Sequence, residues 1–192
     1  MIRIGILGSI GSGKSYVAKL FGYPVFNADK EVAKLYKKSR KCYNRIKKIV
    51  PDHDFSFPVK KSEIFKAILN NKHNLKKIIK IIHPEVRSKM NYFIKKNKNK
   101  KIIILDVPLL LENKLNKKSD ILIFVDTKNK NIEKKLIKKI GANTKVFKIF
   151  KKLQLPIELK KKKSDFIIKN NFTKYYVKKN VKKILKEILL ND

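Results

Sequence analysis

Apolar residues in this chain gather into short uninterrupted runs instead of alternating with polar ones. Ile2 to Leu7, Val25-Phe26, Ile102 to Val107 and Ile121 to Val125 are such runs, with Phe166-Ile167-Ile168 as a fifth. Runs of strand length without alternation predict a parallel sheet covered on both faces. Between them the sequence reads as helical over Lys14 to Phe21, Lys30 to Lys38, Ser62 to Lys96, Asn131 to Ile140, Thr144 to Leu153 and Tyr175 to Leu190. Strands alternating with helices predict an α/β doubly wound core. Two stretches break the rhythm. Residues 30–100 hold helical patterns and no strand-like run, and read as a helical insertion. Residues 128–163 are lysine-rich without a strand signal, and read as a lid. Ligands of open α/β sheets sit beyond the carboxyl ends of the strands, so both insertions would border the site.

The first strand runs directly into Gly8-Ser9-Ile10-Gly11-Ser12-Gly13-Lys14-Ser15, which fits G-x-x-x-x-G-K-S. The residues after it, from Tyr16 on, read as the opening turns of a helix. Strand, glycine-rich loop and helix together are the context of a phosphate-binding loop. Its glycines let successive N–H groups curl inward toward an anion. In such a loop Lys14 reaches the β- and γ-phosphates and the Ser15 hydroxyl ligates magnesium.

Composition narrows the setting. A chain of 192 residues, 43% of them hydrophobic, fits one domain with inserted subdomains. The single Cys42 excludes an internal disulfide and fits a reducing compartment. No apolar stretch approaches the roughly 20 residues that span a bilayer, and the apolar N-terminus is too short for a signal peptide, so a cytoplasmic protein is expected. The net charge of +35 points toward nucleic acid or an anionic surface. Its make-up argues otherwise. Only Arg3, Arg40, Arg45 and Arg87 are arginine, and the lysines spread along nearly the whole chain among many Ile and Asn. That reads as compositional bias on solvated faces, not a specific polynucleotide footprint.

Several polar residues sit where chemistry would need them. Asp29 follows the second strand, where a carboxylate either accepts the proton of an attacking hydroxyl or caps the next helix. Asp106 ends the third strand, either as a magnesium-organising acid or as a polar stop. Glu112 either meets substrate or pairs with a lysine. Pro84 should break or restart the helix and expose His83. Lys134, Lys135, Lys138 and Lys139 fall in the lid, either facing phosphate or lying in solvent. Asn170 and Asn171 follow the fifth strand, either near a nucleotide base or in an ordinary turn.

Taken in order, Gly8 to Ser15, Asn27-Ala28-Asp29, His83-Pro84, Pro108-Leu109-Leu110-Leu111-Glu112, Lys135 with Lys139, Gln154, and Ser164-Asp165 to Asn170 resemble the dephospho-coenzyme A kinase family over nearly the whole chain. The resemblance implies a P-loop three-layer α/β/α fold with a parallel five-stranded sheet. Its core would be residues 1–29, 101–127 and 164–192, with a coenzyme-A-binding domain at 30–100 and a lid at 128–163. It implies transfer of the ATP γ-phosphate to the 3′-hydroxyl of dephospho-coenzyme A, with magnesium, in a monomer or small homo-oligomer. By position it implies catalysis by Asp29, Lys14, Lys135 and Lys139. It implies ATP binding by Gly8, Ser9, Ile10, Gly11, Ser12, Gly13, Lys14, Ser15, Tyr16 and Asn170, and magnesium binding by Ser15 and Asp106. Substrate binding would fall to His83, Arg87, Pro108, Leu109, Leu110 and Glu112. This chain departs from the family pattern at Ser9 for Gly, Tyr16 for Thr, Asn27 for Asp, Lys135 and Lys139 for arginines, and Phe172 for Gly. Ser9 fits only if its φ is negative. Other small-molecule P-loop kinases and a nucleotide-dependent RNA-binding switch are the rivals. The chain holds few arginines for the first, and neither D-x-x-G nor N-K-x-D for the second.

Overall fold

The computed structural model describes residues 1–127 and 144–190. Five parallel strands, β1 (Ile2–Gly8), β2 (Val25–Asn27), β3 (Ile102–Asp106), β4 (Ile121–Asp126) and β5 (Phe166–Lys169), form one sheet in the order β2-β3-β1-β4-β5. The apolar runs of the sequence are these strands. β3 shows why they do not alternate in polarity. Ile102 and Ile104 enter the core on one face, and Ile103 and Leu105 enter the core on the other. A strand buried on both sides needs apolar residues at every position.

Helices α1 (Lys14–Leu20) and α8 (Lys174–Leu190) cover one face through Val17, Ala18, Val177, Val181, Ile184 and Ile188. The other face packs on the distal half of α5 (His73–Lys96), through Val86, Met90, Phe93 and Ile94. The result is a three-layer α/β/α core. Helices α2 (Ala28–Lys38), α3 (Arg40–Ile49), α4 (Lys61–Asn70) and the proximal half of α5 build a separate hydrophobic cluster. Leu35, Ile46, Ile64, Ile68, Leu75, Ile78 and Ile82 are among its buried members. Two further helices, α6 (Thr144–Lys152) and α7 (Ile157–Lys162), follow β4. Ile149 and Phe150 of α6 pack against the helical cluster.

The helical patch expected over Ser62 to Lys96 divides in two. Asn71 separates the halves, its side chain accepting a hydrogen bond from the His73 amide at 2.9 Å. The expected break at Pro84 does not occur, because α5 runs through it. An interior proline costs a helix about 3 kcal/mol. Ile78, Ile81 and Ile82 on one side and Met90 on the other are all buried, each contributing about 1.5–3 kcal/mol. Packing at both ends outweighs the local penalty, and Pro84 falls where α5 passes from one core to the other.

Candidate active site

The glycine-rich loop joins the central strand β1 to α1. Gly8, Gly11 and Gly13 have φ of 147°, 82° and 87°, values that a side chain strains. A Cβ on Gly8 would also lie 2.5 Å from Ser12 Oγ and 2.8 Å from the Val125 carbonyl. Ser9 is not among the described residues with positive φ, so its side chain is accommodated as expected. Gly13 is the N-cap of α1 and makes no side-chain cap bond. The Lys14 ammonium donates to the carbonyls of Ser9 at 2.7 Å and Gly8 at 3.2 Å. Burial lowers its pKa to about 8, against the opposing pull of Asp106 and Asp29.

Parallel register sets Asn27 of β2 beside Asp106 of β3. The Asn27 side-chain amide donates to Asp106 Oδ2 and to Ser15 Oγ at 3.2 Å. Its oxygen accepts from the Lys30 amide at 2.8 Å, so Asn27 is the N-cap of α2. Asp29 is therefore not the cap. It stands in the first turn with its carboxylate open to a cavity, close enough to Asp106 for the two charges to interact. Enclosure, and then the Asp106 charge, hold the Asp29 carboxyl above the usual range, while Lys14 and Lys61 oppose them.

The cavity has a volume of about 870 Å³. One end is Gly11, Gly13, Lys14, Ser15, Asp29 and Asp106. The other end is apolar, with Val32, Tyr36, Ile64, Phe65, Ile78, Phe147 and Phe150 in its walls. It thus offers phosphate chemistry at the loop and an apolar channel leading away from it.

The residues singled out from sequence divide as follows. Ile10, Tyr16, His83, Pro108 and Leu109 line the cavity. His83 is half-buried, and burial followed by the Arg87 charge lowers its pKa. Asn170 is buried and donates to the Ser12 carbonyl at 2.8 Å, tying the end of β5 to the loop. Arg87 lies outside the main cavity, on a neighbouring depression that shares His83. Two of the residues expected at the substrate face the protein instead of the cavity. Leu110 is fully buried, filling the space above Gly5, where a Cβ would come within 2.5 Å of its Cδ2. Glu112 is taken by Lys160, with Oε1 2.6 Å from Nζ, and by the Leu155 amide at 2.9 Å. Lys135 and Lys139 lie outside the described residues. Sequence reading missed Asn27 as an organiser, although its place at a strand end was a signal. It missed Lys61, one lysine among many, and Phe172, whose ring lines the cavity.

The donor set fits a hard divalent cation. Ser15 and Asp106 offer hydroxyl and carboxylate oxygens in one cluster bridged by Asn27. No group of three His, Cys, Asp or Glu side chains capable of caging a metal occurs among the described residues. A magnesium ion that takes one or two protein oxygens plus phosphate and water suits such a site.

The family model described as dephospho-CoA kinase matches residues 2–175. A dephospho-CoA kinase of Wolbachia pipientis is 33% identical over 193 residues, covering 98% of each chain. That of Bartonella quintana is also 33% identical with the same coverage. The solved dephospho-CoA kinase of Campylobacter jejuni superposes with a TM-score of 0.64 at 23% identity, covering 97% of this chain and 96% of its own.

Proposed function

This chain belongs to the dephospho-CoA kinase family, and on that premise we propose how its own residues carry the reaction. The ATP γ-phosphate passes to the 3′-hydroxyl of dephospho-CoA, giving CoA and ADP. One observation carries the assignment of roles: Lys14, Ser15, Asp29 and Asp106 converge at the carboxyl ends of the strands, where the 870 Å³ cavity opens.

The loop amides and the Lys14 ammonium hold the triphosphate. To do so, Lys14 exchanges the Ser9 and Gly8 carbonyls for phosphate oxygens, which are stronger, charged acceptors. Ser15 and Asp106 would hold magnesium, which when bound neutralises charge developing on the phosphates. Asn27 keeps Ser15 and Asp106 in register. Asp29, exposed to the cavity and raised in basicity by enclosure and by Asp106, orients the 3′-hydroxyl and takes its proton. The apolar channel receives the uncharged arm of the acceptor, with His83, Pro108 and Leu109 at its wall. Excluding water there limits hydrolysis of ATP. Lys135 and Lys139 are proposed as further phosphate-facing cations on sequence alone. No helix among the described residues is long and apolar enough to cross a membrane. With the free, buried Cys42, that supports a cytoplasmic setting.

The test is product formation followed by mass spectrometry with ATP, magnesium and dephospho-CoA, beside AMP, CMP and shikimate as alternative acceptors. CoA is expected from the first acceptor alone. In Asp29→Asn, turnover should fall by roughly 100-fold or more with ATP affinity nearly unchanged. Phosphorylation of a different acceptor, or full turnover in Asp29→Asn, would overturn this account.

A further inference from the structure

Phe172 holds a conformation that its surroundings do not repay. Its φ is 64°, in the left-handed region, where the only other described residue besides glycines with positive φ is Lys114. A side chain with a Cβ loses stability there, and such outliers persist only where the structure over-determines them. The determinants are visible. Asn170 is buried, its amide on the Ser12 carbonyl and its oxygen accepting from the Phe172 amide at 2.9 Å. Asn171 accepts from the Thr173 amide at 3.0 Å. The turn after β5 is thus bolted to the phosphate loop, and Phe172 goes where the bolt sends it.

The ring gains little from the protein in return. It is 52% exposed, and no ring partner for it occurs among the described residues. What it does face is the cavity, whose wall it shares with Gly11, Gly13, Lys14 and Tyr16. An exposed aromatic ring carried on a fastened backbone beside a triphosphate-binding loop is suited to a flat, conjugated group attached to that triphosphate. The nucleotide's base meets that description, and stacking on aromatic rings works for bases because each has a π-face. A purine offers more overlap than a pyrimidine.

We propose that the Phe172 ring is the platform on which the base of the bound nucleotide stacks, so that it sets nucleotide affinity and favours purines. This rests on reading the loop as the ATP site. An isothermal titration of ATP and of inorganic tripolyphosphate, each with magnesium, separates the two claims, because tripolyphosphate has no base. The variants are Phe172→Gly, which relaxes the backbone, and Phe172→Tyr, which keeps the ring. In Phe172→Gly, ATP should bind about tenfold more weakly, with tripolyphosphate binding unchanged and the melting temperature equal or higher. Phe172→Tyr should bind ATP as the native chain does, and the native preference for ATP over CTP should shrink in Phe172→Gly. Unchanged ATP affinity, a parallel loss of tripolyphosphate, or a rise confined to the KM for dephospho-CoA would each overturn the proposal. Failure of the native chain to bind either ligand would overturn the ATP-site reading along with it.

Discussion

Asn27→Asp is a one-atom-group change that tests how the site is assembled. Aspartate caps a helix as well as asparagine does, so the bond from the Lys30 amide at 2.8 Å survives. What disappears is the donor. Asp106 loses a hydrogen bond to a charged acceptor, worth about 1.5–3 kcal/mol, and Ser15 loses a longer, partly solvated one, worth about 0.5 kcal/mol. A third carboxylate also arrives beside Asp106 and Asp29. The expected loss at pH 7.5 without metal is therefore about 2–3.5 kcal/mol from the lost bonds alone, or roughly 4–14 °C of melting temperature for a protein of this size. At pH near 4 the new carboxyl, its pKa raised by neighbouring like charge, is protonated and regains a donor, so the deficit should shrink to a fraction. Magnesium with ATP should shrink it at pH 7.5 by supplying positive charge. Scanning calorimetry at both pH values, with and without magnesium and ATP, measures this. A deficit equal at both pH values, or none at pH 7.5, would refute the idea that Asn27 acts by donating between Ser15 and Asp106.

Two further outcomes follow from buried charges. The Lys14 ammonium of the free protein deprotonates near pH 8, and bound phosphate raises that pKa, so ATP binding at pH 8.5 should take up a proton and weaken relative to pH 7. Titration in buffers of different ionisation enthalpy measures the uptake; its absence would place Lys14 in a less buried setting. Glu112→Ala strands the Lys160 ammonium, 1% exposed, and should cost about 3–5 kcal/mol in denaturant unfolding, with the double variant Glu112→Leu with Lys160→Met recovering most of it. Equal stability of single and double variants would show that the pair is not coupled.

The strands and the loop were legible because their signals are local. An uninterrupted apolar run is the mark of a doubly covered strand, and the glycines of the loop answer to φ values that only glycine takes easily. Glu112 and Leu110 were less legible, because their partners come from elsewhere: Lys160 on α7 and Gly5 on β1. Nothing in Pro108 to Glu112 distinguishes a substrate contact from a buried ion pair. Pro84 misled for the same reason, since its local penalty was plain and the two cores gripping α5 were not. Asn27 looked like a lost carboxylate. Only the register of β2 on β3 shows it holding Asp106 and Ser15. Lysine abundance hid Lys61 and Lys160, because a buried cation has no sequence mark among so many exposed ones.

The bond from Asn170 to the Ser12 carbonyl spans 158 positions, and it reorders what can happen during synthesis. The glycine-rich motif is made before the rest of its sheet, on a strand whose two neighbours begin at Ile102 and Ile121. Until those emerge, β1 has no sheet to join, and until Asn170 emerges the loop is not fastened at Ser12. The phosphate-binding motif is therefore made before the strands and the asparagine that hold it in place. Fastening of the loop thus comes together with completion of the sheet.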